Sequence, residues 1–334
     1  MNELLMTVMK LFLSAAGLAL FLSGCGEPRV AEQPGKLQLV ATIFPLADWL
    51  HEVAGDDADV ACLVDGAQNP HHFEPTVSDA TRITKAKALF TVGLGLDPWA
   101  GKLAENSGSG VKVIACSAWI APQKMGVTRS IEIHDSKGRG GGDDDDDGDL
   151  DPHFWLDPAR AMIVVKKMAE ELGALDPAHR DAYAKRAEAY VGKLEALNRT
   201  VDTLASSVPS NAALVTFHDA YGYLFGRLKI KIAAVVQVSP GVEPSARDVV
   251  EAVKLMKSLG QKVVFREPGA NTAALQTLAT ELNARLELLD PMDTAGSEAG
   301  NTYVERMRHD LNVIANAAGL PLDVNAPTPV GGAK

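Results

Sequence analysis

Residues 37–64 read LQLVATIFPLADWLHEVAGDDADVACLV and contain two short apolar runs on either side of an amphipathic stretch. The runs Leu37–Ile43 and Asp59–Val64 have the length and residue types of buried β-strands, whereas Leu46–Ala54 has apolar residues at helical spacing. A strand, a helix and a second strand in this order form the unit from which parallel sheets are built. The stretch therefore predicts an α/β fold.

The same alternation continues through most of the chain. The first half adds a helix over Val77–Ala86 and strands over Ala88–Val92 and Val111–Cys116. The second half adds four strands, three helices between them and a final helix: Ala212–Phe217, Asp219–Arg227, Ile230–Val238, Ala246–Leu259, Lys262–Phe265, Thr272–Asn283, Arg285–Leu289 and Tyr303–Ala317. We therefore expect two α/β lobes, each with a central parallel sheet.

A long helix is predicted between the two halves. Asp157-Pro158 and Asp176-Pro177 each combine a helix N-cap with proline at the first helical position. From there to about Ser206 no further proline occurs, and apolar residues recur at helical spacing. We assign residues 37–175 to an N-terminal lobe, 176–207 to a rigid linking helix, 208–322 to a C-terminal lobe and 323–334 to a flexible tail.

The first 25 residues have the features of an export signal. Lys10 precedes the apolar run Leu11–Leu22, which is too short for a comfortable membrane span and is typical of a secretory signal. Leu22-Ser23-Gly24-Cys25 resembles a bacterial lipobox, with cleavage before Cys25 and a lipid on its thiol. We expect residues 1–25 to be a lipoprotein signal peptide and residues 26–36 a tether, so the protein would be exported and lipid-anchored. The alternative is an ordinary signal peptide with a chance cysteine.

Composition narrows the choice of ligand. The formal net charge of −11 argues against nucleic acid and against a basic membrane-binding surface, and it suits a cation. Cys62 and Cys116 lie in apolar, strand-like runs, which favours buried free thiols over a disulfide. With no close pair of cysteines, a cysteine-based zinc site is not supported.

Residues 135–149 differ from the rest of the chain, since glycines are followed there by five consecutive aspartates. Like charges and glycines cannot build a core, so the sequence predicts a mobile loop. It is either a solvated insertion or a segment that gathers cations, with His134 beside it. Carboxylates suit Ca²⁺ or Mg²⁺ better than Zn²⁺.

Three histidines stand out by their position. His71 lies in the loop after the strand that ends near Val64, and His218 directly follows the strand Ala212–Phe217. Ligands of open parallel sheets bind outside the carboxyl ends of the strands, so both histidines point to such a crevice. His153 lies in DPHFWLDP, where two prolines and two aromatic residues should hold the loop stiffly.

Two acids share this topology, because Glu267 and Asp290 also follow predicted strands. Three imidazoles and a carboxylate make a plausible tetrahedral site for Zn²⁺, although imidazole also suits Cu²⁺ and Ni²⁺. The candidate ligands are far apart in the sequence, so the fold must assemble them. This favours a captured metal over one that holds a local motif together.

The motifs around these residues resemble those of the metal-binding proteins of zinc and manganese ABC importers. The matching segments occur in one order through nearly all of the mature chain: 69–75 (NPHHFEP), 92–96 (VGLGL), 151–158 (DPHFWLDP), 217–223 (FHDAYGY), 265–268 (FREP) and 289–291 (LDP). The resemblance implies two Rossmann-like lobes joined by a long rigid backbone helix. It also implies a monomer without enzyme activity that delivers its metal to the membrane permease of an ABC importer.

Carried over position by position, the resemblance places the family's four ligands on His71, His153, His218 and Asp290. Manganese members typically have a glutamate where this chain has His218, so a third imidazole at this position favours zinc as the ligand. The resemblance is therefore to the zinc-binding branch, the periplasmic binding proteins of high-affinity zinc uptake systems. Zinc members commonly have a loop rich in histidine and acidic residues just before the second ligand, and here the loop in that place is rich in aspartate, with His134 as its only histidine.

Neighbouring residues receive supporting roles. His72 is adjacent to His71 and should point away from it, at the rim of the site. Glu74 and Asp219 are candidates to hydrogen-bond a ligand imidazole and fix its tautomer. Glu267 is a candidate for the same role, or for the fourth ligand in place of Asp290.

Three other functions remain open from the sequence. The same scaffold could hold Mn²⁺, for which two imidazoles and two carboxylates are better suited. Three histidines with an open fourth position could also serve a zinc-dependent hydrolase, but the chain has no H-E-x-x-H motif. A structural or adhesive surface protein would carry these histidines incidentally and would bind no metal.

Overall fold

The computed structural model describes residues 36–66, 68–125, 150–236, 244–270 and 273–320. The predicted signal peptide, nearly all of the predicted tether, the Asp-rich loop and the predicted tail lie outside these ranges. From Lys36 onward the chain forms one unit, Lys36–Lys334, in which both halves take part. None of the helices within the described ranges has the length and apolar character that a bilayer crossing requires.

The first half contains a four-stranded parallel sheet. Its strands are β1 (Leu37–Ala41), β2 (Ala58–Cys62), β3 (Ala88–Thr91) and β4 (Lys112–Ala115), in the order β2-β1-β3-β4. All three strand pairs are parallel. Helices α1 (Phe44–Ala54), α2 (Val77–Lys85) and α3 (Pro98–Ser107) connect successive strands. The parallel sheet that residues 37–64 predicted is therefore present.

Helix α3 was not predicted, because Gly101 and the polar residues near its end obscure any apolar periodicity. The residue before it, Asp97, is buried and joins the ends of two strands. Its carboxylate accepts hydrogen bonds from Thr42 Oγ1 at 2.6 Å, Val92 N at 2.7 Å and Gly93 N at 2.9 Å. Asp97 thereby fixes the carboxyl edge of the sheet, where the chain leaves β1 and β3.

The second half also contains four strands: β5 (Ala213–Thr216), β6 (Lys231–Val235), β7 (Val263–Arg266) and β8 (Arg285–Leu288). β5 pairs in parallel with β6, and β7 with β8. The buried side chain of Gln261 joins the two pairs. Its Oε1 accepts from Val215 N at 2.8 Å, and its Nε2 donates to the carbonyl oxygens of Val215 at 3.1 Å and Val263 at 2.8 Å. The four strands therefore form two separate parallel pairs, β5-β6 and β7-β8, bridged by Gln261. We refer to the two pairs together as the second sheet, although the single central sheet that the sequence predicted is interrupted between β5 and β7.

Four helices accompany this second sheet: α6 (Gly222–Leu228), α7 (Ala246–Leu259), α8 (Ala273–Leu282) and α9 (Tyr303–Ala317). The sequence predicted α7 and α9 with the observed bounds. It began α6 at Asp219, three residues too early, because residues 217–221 form the loop at the carboxyl end of β5.

Two long helices connect the halves, α4 (Pro158–Leu175) and α5 (Arg180–Ser207). The Asp157 carboxylate caps α4 by accepting from Ala159 N at 3.0 Å. The second Asp-Pro signal instead begins a single 3₁₀ turn, Pro177–His179, so the helix itself starts at Arg180. Its 28 residues span about 42 Å at roughly 1.5 Å per residue. The apolar stripe predicted from the sequence is buried: Tyr183, Ala187, Tyr190, Leu194, Leu197, Val201 and Leu204.

Polar contacts join α5 to both halves. Arg186 donates from Nε to the Val53 carbonyl at 2.7 Å, at the end of α1. Arg227, on α6, donates to Asp157 Oδ1 and to Asn198 Oδ1, each at 2.8 Å. The predicted long helix is therefore present and is hydrogen-bonded to residues of both halves.

Both cysteines in the described ranges are free thiols, with Cys116 buried and Cys62 partly buried. Burial raises the pKa of Cys62 to about 12. A thiol with so high a pKa is a poor nucleophile and a poor metal ligand at neutral pH.

We predict that Gln261→Leu lowers the free energy of unfolding by about 2–3 kcal/mol, because it leaves two buried backbone groups of Val215 without partners. Urea denaturation of the metal-free protein measures the effect. Gln38→Leu, at an exposed position in β1, serves as the control and should change stability by less than about 0.5 kcal/mol. An equally small effect at Gln261 would show that β5 and β7 do not depend on its side chain.

Candidate metal centre

His71 lies on a 3₁₀ turn, Pro70–His72, in the loop that follows β2. Its backbone N–H donates to Asn69 Oδ1 at 2.8 Å. Trp99, from α3, donates from Nε1 to the Pro70 carbonyl at 3.0 Å, and its ring packs on Phe73 with centroids 4.6 Å apart. The turn is thus held against α3, and the imidazole is half-buried.

His153 precedes a second 3₁₀ turn, Phe154–Leu156, and is only 1% exposed. Trp155, the second aromatic residue after His153, anchors this turn to the C-terminal half. Trp155 donates from Nε1 to the Pro291 carbonyl at 2.7 Å, and Tyr303 Oη donates to the Trp155 carbonyl at 2.6 Å. The stiffness predicted from the prolines and aromatic residues therefore comes largely from contacts between the two halves.

His218 follows β5 at the carboxyl edge of the second sheet and is 6% exposed. Its backbone carbonyl accepts from Thr216 Oγ1 at 3.1 Å. His218 and His71 therefore occupy the position that the sequence predicted for both, beyond a strand end in each half.

The three imidazoles meet at one point. Their ring centroids are 5.6 Å apart for His71–His153, 6.3 Å for His71–His218 and 5.4 Å for His153–His218. One nitrogen from each ring lies within 4.8 Å of the other two. All three Nε2 atoms are buried without a hydrogen-bond partner. Among the described residues this is the one group of three or more candidate ligands at such a spacing.

Carboxylates hold the opposite nitrogen of two rings. His153 Nδ1 lies 2.8 Å from Asp151 Oδ1, and His218 Nδ1 lies 2.6 Å from Glu267 Oε1. A carboxylate can only accept, so each Nδ1 carries a proton, and Nε2 is the nitrogen that can bind a metal once the ring is neutral. The sequence analysis named Glu267 for this role but missed Asp151, although an acid two residues before a candidate ligand was visible in DPHFWLDP.

The pKa values of the rings differ because their surroundings differ. Burial, and then repulsion from His153 and His218, lowers the pKa of His71 to about 3, so its ring is neutral and available. Burial also lowers the pKa of His218, but the charge and hydrogen bond of Glu267 outweigh it and raise the pKa to about 9. A metal ion must therefore displace a proton from His218 at neutral pH.

Comparison with known proteins identifies the family. Residues 39–317 match the profile of the zinc-uptake complex component A, periplasmic. The chain belongs to this family. The resemblance inferred from the motifs is confirmed, as is the α/β fold class with parallel sheets and a long helix. The zinc-uptake component A family consists of substrate-binding proteins for metal transport and is not a family of enzymes.

Two relatives illustrate the range of the family. The high-affinity zinc uptake system protein ZnuA of Brucella abortus is 32% identical over 327 residues, which cover 90% of this chain and 96% of the relative. The zinc-binding lipoprotein AdcA of Streptococcus pneumoniae serotype 4 is 29% identical over 306 residues. That alignment covers 90% of this chain but only 59% of the longer pneumococcal protein.

Solved structures agree with the fold. The Zn(II)-bound ZnuA-like domain of S. pneumoniae AdcA has a TM-score of 0.69 at 27% identity, covering 85% of this chain and 99% of that one. The substrate-binding protein FpvC of Pseudomonas aeruginosa, in complex with Mn²⁺, has a TM-score of 0.68 at 27% identity, covering 85% and 98%.

Asp290, the expected fourth ligand of the zinc-uptake family's site, is fully buried but lies outside the group of three nitrogens. Its Oδ1 accepts from Met292 N at 2.8 Å. Its Oδ2 has no hydrogen-bond partner and lies 3.5 Å from Arg306 Nη1. Burial raises the pKa of this carboxyl, and Glu267 is among the charges that raise it further.

The predicted neighbours of the ligands differ in how far their side chains are exposed to solvent. His72 is exposed, in agreement with a place at the rim. Glu74 is also exposed, and within the described ranges it forms no hydrogen bond to an imidazole, because the neighbouring Phe73 takes the buried position against Trp99. Asp219 is partly buried, and its charge is among those that raise the pKa of His218.

Sequence reasoning missed two buried residues beside the site. Asp293 is 8% exposed, and burial, followed by repulsion from Glu267, raises its pKa to about 7. Arg306 is 1% exposed and packs on the Phe44 ring, 3.6 Å from the centroid. It donates to the carbonyl oxygens of Thr294 at 2.8 Å and Gly300 at 3.0 Å, so it organises the loop after Asp290. No local pattern marks either residue.

We predict that Glu267→Gln lowers the pKa of His218 from about 9, because the change removes the largest of the interactions that raise this pKa while burial continues to lower it. Imidazole ¹⁵N shifts of the metal-free protein report the titration. In the unchanged protein, the stability contributed by His218 is fully present below pH 6.5 and is lost as the pH rises through about 9. The control, Glu188→Gln, changes an exposed acid on α5 and should leave the titration unaltered. A His218 that titrates near 6.5 with or without Glu267 would contradict this account.

Proposed function

We propose that the protein captures Zn²⁺ outside the cytoplasm and delivers it to the membrane permease of an ABC importer. One observation carries the proposal: three Nε2 atoms are buried together and none has a hydrogen-bond partner. A buried polar atom without a partner is costly, and a cation bound to all three would supply the missing interaction for each.

The donor set favours zinc. Three neutral imidazoles suit Zn²⁺, Cu²⁺ and Ni²⁺, whereas Mn²⁺ prefers carboxylate and other oxygen ligands. Zinc sites commonly combine three protein ligands with a fourth position. The names of the relatives, which refer to zinc uptake and zinc binding, support the same choice. Manganese is the alternative, since a structure of similar fold is described in complex with Mn²⁺.

Asp290 is our proposed fourth ligand. Its Oδ2 is buried and free of hydrogen bonds, and its neighbour Glu267 contacts the ligand His218. To reach a metal, the carboxylate must turn away from Arg306, which lies 3.5 Å from Oδ2. Glu267 is the other acid that could coordinate, but its hydrogen bond to His218 favours an orienting role.

The way in which the fold assembles the three histidines is compatible with a metal ion that is bound and later released. The three histidines come from distant segments of the chain, so no local loop depends on the metal for its structure. An importer also needs its binding protein at the membrane, and the lipobox at Cys25 would supply that anchor. We propose a lipid-anchored monomer on the periplasmic or other extracytoplasmic face, with cleavage before Cys25 and a lipid on the Cys25 thiol.

We predict that His71→Ala, His153→Ala and His218→Ala each weaken Zn²⁺ binding by at least about 100-fold, because each removes one of three ligands. Competition with a chromophoric chelator measures the affinity. His51→Ala, an exposed histidine on α1, is the matched control and should bind zinc as the unchanged protein does. Three histidine variants that bind like the control would rule out the site.

A second prediction concerns the fourth ligand. Asp290→Asn should weaken Zn²⁺ binding by about 10- to 100-fold, since a neutral amide is a much poorer ligand than a carboxylate. The same chelator competition applies, with thermal unfolding of the metal-free variant to verify its fold. Asp181→Asn, at an exposed position on α5, is the control. Unchanged zinc affinity in a folded Asp290 variant would mean that the fourth position is filled by water or by another group.

A further inference from the structure

The Asp151 carboxylate connects a candidate ligand to the opposite half of the molecule. Asp151 is 2% exposed, and its Oδ1 accepts from His153 Nδ1 at 2.8 Å and from His153 N at 3.0 Å. Its Oδ2 accepts from Gln123 Nε2 at 3.2 Å. Both oxygens are therefore in use, and the carboxylate cannot turn without releasing the ring of His153.

Gly222, the first residue of α6, lies directly against this carboxylate. A Cβ on Gly222 would lie 2.6 Å from Asp151 Oδ2 and 3.0 Å from Gln123 Nε2, both closer than ordinary van der Waals contact. Gly222 is not among the glycines with positive φ, so its backbone conformation does not require glycine. What requires glycine at this position is the space that the Asp151 carboxylate occupies.

The next residue of α6 holds the backbone of the same segment. Tyr223 Oη donates to the Asp151 carbonyl at 2.9 Å and accepts from Gln123 N at 3.1 Å. Asp151 N in turn donates to the Gln123 carbonyl at 2.9 Å. Two consecutive residues of α6 thus contact the carboxylate and the main chain of Asp151, and α6 begins four residues after His218.

We propose that Gly222 and Tyr223 are positioning residues that set the spacing between His153 and His218. The inference rests on the proposed zinc function and extends it to residues that touch no metal. Metal–nitrogen distances tolerate changes of only about 0.2 Å, so a shift of the Asp151 segment along α6 misplaces one ligand relative to the other. Helix α6 sets the distance between His153 and His218, because it follows His218 in the sequence and contacts Asp151.

The test compares two alanine substitutions in the same helix. Gly222→Ala places a methyl group against Asp151, whereas a Cβ at Gly226 meets nothing within 4 Å. Helix propensity favours alanine over glycine at both positions, so it cannot explain a difference between them. We expect Gly226→Ala to bind Zn²⁺ within about twofold of the unchanged protein and Gly222→Ala to bind at least about 10-fold more weakly.

Two further measurements separate positioning from a general loss of structure. Absorption of the Co²⁺-loaded protein reports ligand geometry, and its bands should shift in Gly222→Ala but not in Gly226→Ala. In a double-mutant cycle, Gly222→Ala should weaken Zn²⁺ binding by less than about twofold when Asp151 is already alanine, because the methyl group then has no carboxylate to displace. A full additional loss in that background would overturn the proposal.

Tyr223→Phe keeps the test decisive even if Gly222→Ala does not fold. This change removes only the hydroxyl, and we expect weaker Zn²⁺ binding and a shifted Co²⁺ spectrum. Tyr183→Phe is its control, since the hydroxyl of that buried residue donates to Asp176 Oδ2 at 2.8 Å, in the connection between α4 and α5. A Tyr223→Phe variant with the zinc affinity and cobalt spectrum of this control would also overturn the proposal.

The outcome for the unchanged protein distinguishes this inference from the proposed function. If the unchanged protein and Gly226→Ala both fail to bind Zn²⁺, the proposed function itself is wrong. If both bind, and Gly222→Ala matches them in zinc affinity and cobalt spectrum, the function stands and the positioning role of α6 is wrong.

Discussion

The central constraint on this fold comes from three imidazoles that pack against one another. Their Nε2 atoms are buried and form no hydrogen bonds. An unpaired buried polar group costs about 1–3 kcal/mol, so the metal-free arrangement is unfavourable by itself. The rest of the molecule has to hold the three rings in place against that cost. A bound cation then recovers the loss, which links the stability of the site to its occupancy.

The three rings are not held equally. His153 and His218 are each hydrogen-bonded to a carboxylate, and the hydrogen bond from Tyr223 to the Asp151 carbonyl joins the segment of His153 to the helix that follows His218. His71 sits on a turn supported by Asn69 and Trp99 and is only half-buried, and its ring has no carboxylate partner among the described residues. Two ligands are thus preorganised as a pair, and the third completes the site from the N-terminal half.

Much of this could be predicted from local sequence. Strand periodicity placed His71 and His218 beyond strand ends, and in a parallel sheet those ends share one edge. The pairing of His218 with Glu267 requires β5 to lie beside β7, an adjacency that depends on Gln261 and not on any local pattern. The orientation of Asp290 likewise depends on Arg306, a buried residue on a later helix. Such contacts between distant segments follow from packing, which apolar periodicity does not encode.

The central claim is that the three histidines form a selective zinc site, and direct metal competition tests it. Metal-free protein is equilibrated with equimolar Zn²⁺ and Mn²⁺, separated from free metal by gel filtration and analysed by mass spectrometry of the elements. The account predicts about one equivalent of zinc per chain and almost no manganese, since three imidazoles favour Zn²⁺ over Mn²⁺. Retained manganese in place of zinc, or a protein that retains neither metal, would contradict it.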